Sequence, residues 1–315
     1  MHIENSRFFI HIPKTAGTSL RVAMYKQFGE RRICSDYELK APETHKLVRH
    51  YIYEQADVFG LKNQLERERF NVLVGHMPYR KYKDIFYADA VFTVLRNPFD
   101  RVVSEFKHFK RHNGYTKSLL DFVKERRNIN VQYRFLQGLP LHSIGCIGIS
   151  EDYDNSIRLL NATYGWKLPA LALNSAPEMQ SLETQDNGEA VSAFYELNKQ
   201  DVLLYEEAKV NYTLRLSCLS RNVSYTCGSF SVDEKGVVRG VAFRPNSAMP
   251  IKVKLCIDGE EKESSLAKDY SAQARLSGYP RMGHVCFTFG YRVPPDLIDK
   301  ATVEVVDSGQ NLPKD

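Results

Sequence analysis

The sequence predicts an α/β domain, a parallel sheet flanked by helices, joined to a C-terminal, mostly-β unit of sandwich-like character. Three observations point there. Short apolar runs alternate with helical stretches over roughly the first 210 residues. Those runs are continuous rather than alternating, as expected for strands buried on both faces. After about Leu216 the pattern becomes alternating runs broken by Gly, Pro, Asn and Asp.

In chain order, residues 8–12 read as a first strand ending at Pro13, and a Gly-containing turn leads to a helix over 18–28. Residues 72–74 and 91–95 are two more short runs rich in β-branched side chains. Pro98 opens a helix with Val102, Val103, Phe106 and Phe109 at core spacing. Proline suits the first turn, where the N–H it lacks has no intrahelical partner. Helices are expected near 118–126, 152–161 and 189–197 and from Asn198 towards Val210, with residues 146–149 as another strand. In the tail, residues 236–243, 251–257 and 284–289 form short strand-like runs, and Asp258-Gly259 signals a hairpin turn. These patterns divide the chain into an α/β domain at 1–214 and a β-sandwich-like accessory domain at 215–315.

Composition excludes several classes. Of 315 residues, 43% are hydrophobic and 26% charged, which argues against disorder and fibrous structure. No apolar run reaches the length of a membrane span. The polar N-terminus, residues 1–7, lacks the basic start and apolar stretch of a signal peptide, so a cytoplasmic, bacterial-like setting is expected, or a Golgi lumen if an anchor was removed. Cys34, Cys146, Cys218, Cys227, Cys256 and Cys286 show neither C-x-x-C nor zinc spacing and read as buried thiols; no metal is expected. Sequons at Asn161, Asn211 and Asn222 read as chance. The net charge is +5, and residues 80–127 hold twelve Lys/Arg against six Asp/Glu, a concentration that suits a polyanionic ligand. No nucleic-acid partner is expected, and the oligomeric state is left open.

Chemistry concentrates at His11-Ile12-Pro13-Lys14-Thr15-Ala16-Gly17-Thr18-Ser19, directly after the first strand. A strand-to-helix loop offers unpaired N–H groups and the positive end of a helix dipole. Lysine, glycine and several hydroxyls add a point charge, close backbone approach and directional donors. The loop is not a Walker A motif, because Lys14 precedes Gly17 and no glycine precedes it. Neither the run at 72–74 nor that at 91–95 ends in an acidic residue able to hold magnesium, so a metal-dependent kinase fits poorly.

P-K-T-x-G-T-S after a first strand resembles the 5'-phosphosulfate loop of the sulfotransferase superfamily, whose fold is P-loop-like. The form is that of carbohydrate sulfotransferases, including the heparan sulfate 2-O-sulfotransferase type and bacterial relatives. A second segment, Val94-Leu95-Arg96-Asn97-Pro98-Phe99-Asp100-Arg101-Val102-Val103-Ser104, resembles the family's strand ending in Arg followed by N-P-x-D-R and a helix with Ser. Weaker echoes are Gly75-His76-Met77-Pro78, Asn130-x-Gln132-x-Arg134 with Gly138, Gly148-Ile149 with Tyr153 and Leu159-Leu160, and Asn198-x-x-Asp201-x-x-x-Tyr205. The resemblance spans roughly residues 7–210.

It implies sulfuryl transfer from 3'-phosphoadenosine-5'-phosphosulfate (PAPS) to a hydroxyl, most naturally of an oligo- or polysaccharide, free or lipid-linked, leaving 3'-phosphoadenosine-5'-phosphate (PAP). Lys14, Thr15, Ala16, Gly17, Thr18 and Ser19 would hold the 5' end of the donor and Arg96 with Ser104 its 3'-phosphate. Lys14 would stabilise the leaving oxygen, and His76 would be the general base. Arg101 reads as pairing with an acidic neighbour, and His11 as structural. Arg80, Lys81, Lys83, His108, Arg111 and His112 could form a basic rim. The alternatives are a P-loop-like nucleotide-dependent kinase, and an inactive fold that binds glycans.

Overall fold

The computed structural model describes residues 6–171 and 186–315, so most of the N-terminal stretch read for a leader lies outside the described residues. The elements are β1 (Arg7–Ile10), α1 (Gly17–Phe28), β2 (Ile33–Asp36), α2 (Lys46–Val48), α3 (Val58–Arg67), β3 (Val72–Gly75), β4 (Val91–Leu95), α4 (Pro98–His112), α5 (Leu119–Lys124), α6 (Val131–Leu136), β5 (Cys146–Ile149), α7 (Tyr153–Tyr164), α8 (Asp186–Leu197) and α9 (Lys199–Ser220). The β-rich tail adds β6 (Cys227–Val232), β7 (Val237–Phe243), β8 (Ile251–Ile257), β9 (Glu260–Ala267), β10 (Asp269–Tyr270), α10 (Ala272–Leu276), β11 (His284–Arg292), β12 (Ala301–Val305) and β13 (Gln310–Asn311).

Strands β1 to β5 form one parallel sheet in the order β2-β3-β1-β4-β5. Phe8, Phe9, Val72, Leu73, Val74, Val91, Phe92 and Leu95 are all buried, which is why these runs carry no polar alternation. In such sheets ligands bind beyond the carboxyl ends of the strands, where the order reverses. Here that point lies at β1, whose neighbours β3 and β4 are in register at Ile10↔Gly75 and Ile10↔Thr93. The segments after β1, β3 and β4 therefore emerge side by side.

Strand β2 has no counterpart in the sequence reading, because Ile-Cys-Ser-Asp is short and ends in a charge. Asp36 is nonetheless fully buried. Lys81 Nζ donates to it at 2.6 Å, and the Tyr53 and Tyr82 hydroxyls donate at 2.8 and 2.5 Å. A buried carboxylate is tolerable only with such partners.

The tail folds into two four-stranded sheets, β10-β11-β7-β6 and β13-β12-β8-β9. Phe230, Val238, Phe287 and Phe289 of the first share an apolar cluster with Val253, Leu255, Val303 and Val305 of the second. The β8–β9 turn has positive φ at both Asp258 (51°) and Gly259 (82°), as the sequence signal required. Cys227, Phe243, Tyr279 and Val285 instead join the cluster under the parallel sheet. Helix α9 runs through positions 214 and 215 and ends at Ser220. Among the described residues no helix is long and apolar enough to cross a membrane.

Candidate active site

The loop between β1 and α1 turns twice through the left-handed region, at Lys14 (φ 68°) and Ala16 (φ 67°). Alternating backbone signs of this kind turn successive N–H groups towards one concavity. Ala16 is the N-cap of α1 and caps with no side chain. The first N–H groups of the helix, at Gly17, Thr18 and Ser19, thus meet the loop with the dipole's positive end. Thr15 is fully buried and its hydroxyl donates to the Ile12 carbonyl at 2.9 Å, so it braces the loop from within. Thr18 is exposed and Ser19 buried.

Gly17 is fixed by packing. A Cβ there would lie 2.0 Å from Cδ2 of His11. That ring cannot retreat: it stacks on Phe9 at 5.4 Å, and Nδ1 hydrogen-bonds the Tyr37 hydroxyl at 2.8 Å. Gly17→Ala is expected to destabilise the fold by about 1–3 kcal/mol through overpacking, read as a lower melting temperature by circular dichroism. His11 therefore lies under the loop, and burial, with His76 and Arg21 nearby, holds its pKa well below the usual imidazole value.

His76 follows β3 directly. Its ring lies 4.4 Å from that of His11 and edge-on to Tyr37 at 4.7 Å. Its Nδ1 meets the carbonyl of His11 at 2.6 Å. A carbonyl oxygen only accepts, so Nδ1 carries the hydrogen and Nε2 of the neutral ring keeps its lone pair. Burial lowers the His76 pKa; the hydrogen bond to His11 and the charge of Glu105 oppose that, while Arg21 adds to it.

Arg96 leaves the end of β4 and donates from Nη1 to the Lys14 carbonyl at 3.3 Å. This contact links the two motif-bearing junctions. The Arg96 backbone is clamped by fully buried Gln132, whose Oε1 accepts from its N–H at 3.0 Å and whose Nε2 donates to its carbonyl at 2.8 Å. Asp201 in turn accepts from the N–H groups of Gln132 (3.2 Å) and Tyr133 (2.7 Å). Asn130, at φ 49°, exchanges bonds with Asn198 and Asp201. Two of the weaker echoes, around Asn130–Gln132 and Asn198–Asp201, thus form a buried brace behind Arg96, a role that spacing alone did not reveal.

Asn97 caps α4 by accepting from the N–H groups of Phe99 and Asp100. Its own N–H donates to Glu151 at 2.6 Å. Ser104 lies about two turns into that helix, partly buried. Arg101 is buried and pairs with Glu105 at 2.5 Å, as expected. Among the rim residues, Lys81 is committed to Asp36, whereas Arg80, Lys83, His108, Arg111 and His112 are exposed. Burial and then the Lys14 charge lower the His108 pKa. Among the described residues no three His, Cys, Asp or Glu side chains gather as a metal site. Two clefts elsewhere, of about 380 and 480 Å³, share no residue with this loop.

Residues 4–138 match the sequence profile described as Sulfotransferase family. None of the curated proteins matches the chain. Among solved structures, mouse sulfotransferase SULT7A1 complexed with PAP is 13% identical over 53% of this chain, with a TM-score of 0.35. This chain covers 60% of the mouse enzyme's length. A sulfotransferase from Alicyclobacillus acidocaldarius is 18% identical over 61% of this chain and 95% of its own, with a TM-score of 0.34.

Proposed function

We propose, from the match of residues 4–138 to the sulfotransferase family, that the protein transfers the sulfuryl group of PAPS to a hydroxyl of a carbohydrate. The observation that carries the reading is the Arg96 contact to the Lys14 carbonyl. It sets a guanidinium fork beside an anion-binding loop, so that one nucleoside bearing phosphates at both its 3' and 5' positions can meet both.

In this reading the loop N–H groups, Lys14, Thr18 and Ser19 hold the 5' phosphosulfate, with Thr15, Ala16 and Gly17 supplying the backbone shape. Arg96 and Ser104 hold the 3'-phosphate, the guanidinium fork suiting two of its oxygens. The acceptor oxygen attacks sulfur as the bond from sulfur to the bridging oxygen of the 5'-phosphate breaks. Charge grows on that bridging oxygen, where Lys14 stabilises it. The acceptor proton passes to Nε2 of His76, and PAP leaves. The loop's P-K-T-x-G-T-S form and the exposed basic face of α4 support a sugar chain as acceptor. Residues 1–214 would carry donor binding and transfer, and 215–315 an accessory role. Six free thiols, five of them buried, favour a reducing, cytoplasmic setting.

Isothermal calorimetry tests the donor. PAP should bind and ATP with magnesium should not. The reverse result replaces this reading with the nucleotide-dependent kinase, and binding of neither supports the inactive fold. Transfer of radiolabelled sulfate from PAPS to a panel of polysaccharides then tests the acceptor.

A further inference from the structure

The 480 Å³ cleft lies on the face of the β10-β11-β7-β6 sheet turned away from the tail's second sheet. Cross-strand register arranges its floor in two rows. One runs Ser231–Arg239–Thr288, the other Ser229–Val241–Cys286–Asp269. These positions share a face because strand side chains alternate. The opposite face of the same strands carries Phe230, Val238 and Phe287 into the apolar cluster. Part of this face packs on the cluster under the parallel sheet, through Cys227, Phe243, Val241 and Cys286, and the cleft beside it is walled. Pro140, His142, Tyr279 and Asp315, with Tyr270 and Ser271, line its walls, and His142 meets the Tyr279 hydroxyl at 3.2 Å.

Tyr270 is 52% exposed on the short edge strand β10, with His284 beside its ring at 5.1 Å. An exposed ring beside hydroxyls, a guanidinium and carboxylates matches the two-sided chemistry of a sugar, an apolar C–H face edged by hydroxyls. The charge is informative. Arg239 is paired with Asp233 at 2.6 Å, which leaves Asp269 and Asp315 as the balance within the cleft. Such a surface disfavours sulfate or carboxylate groups and suits an uncharged sugar, the opposite of the basic face by the loop.

We propose that this cleft binds an uncharged saccharide unit of the acceptor, holding the glycan while transfer proceeds at the loop. The inference rests on the carbohydrate reading above. Titration of the full chain with neutral gluco-, galacto- and chito-oligosaccharides, in parallel with PAP, tests it. At least one neutral oligosaccharide should bind, and Tyr270→Ala and Thr288→Ala should each weaken that binding about tenfold or more without changing PAP affinity. No neutral binding, or binding untouched by Tyr270→Ala, overturns the cleft while PAP binding leaves the transferase reading intact. Saccharide binding without PAP binding sinks the transferase instead. Both variants should keep the wild-type circular dichroism spectrum, since the two side chains are exposed.

Discussion

His76→Ala should lower kcat by about 10²- to 10⁴-fold while PAP affinity stays within about twofold of wild type. The expectation follows from the assigned hydrogen. With Nδ1 donating to the His11 carbonyl, the only free lone pair on the ring is at Nε2. Burial favours the neutral ring, so at pH 7 most molecules hold the base in its accepting form. The acid limb of kcat/KM should accordingly fall below the ordinary imidazole value of 6.5, with the rate lost as pH drops and His76 takes a proton. His76→Gln keeps a polar side chain but no titrating base, and should remove that limb. If His76→Ala retains wild-type kcat, His76 is a structural histidine and the acceptor loses its proton elsewhere.

The same burial has a consequence for stability. His11 and His76 both have pKa values lowered in the folded state. The unfolded chain then binds more protons between those folded values and about 6.5, so stability falls as pH falls through that window.

The sequence made the site's outline legible because strand-end loops carry chemistry in short, ordered strings. Lys14 and Gly17 sit in one such string and Arg96 in another, and each string marks a strand-to-helix junction. The brace was visible only as disconnected residues. Gln132 and Asp201 are 69 positions apart, and neither shows by periodicity that it meets the other or that Gln132 clamps the Arg96 backbone. Strand β2 was illegible for a different reason: its terminal Asp36 reads as a loop residue until Lys81, Tyr53 and Tyr82 are seen around it. The tail's strands were readable by alternation, but which of their faces would stay outside depended on the second sheet packing over the other.

Arg96→Ala should weaken PAP binding by about 30- to 1000-fold, the loss of roughly 2–4 kcal/mol of charge-assisted hydrogen bonding. The effect should be confined to the 3' end. Adenosine 5'-monophosphate lacks the 3'-phosphate, so its weaker binding should change little in Arg96→Ala, and the preference for PAP over it should collapse. Arg96→Lys keeps the charge and loses the fork, and should recover only part of that preference. Gln132→Leu separates contact from support, because Gln132 reaches Arg96 only through the backbone. Leucine leaves a strand-end N–H and carbonyl without their partners, which should cost about 1–3 kcal/mol of stability. It also frees the guanidinium to wander, so PAP affinity should drop about tenfold while affinity for the monophosphate holds. If instead Arg96→Ala weakens both nucleotides equally, Arg96 acts through the Lys14 carbonyl on the shape of the loop, and the 3'-phosphate belongs to another group.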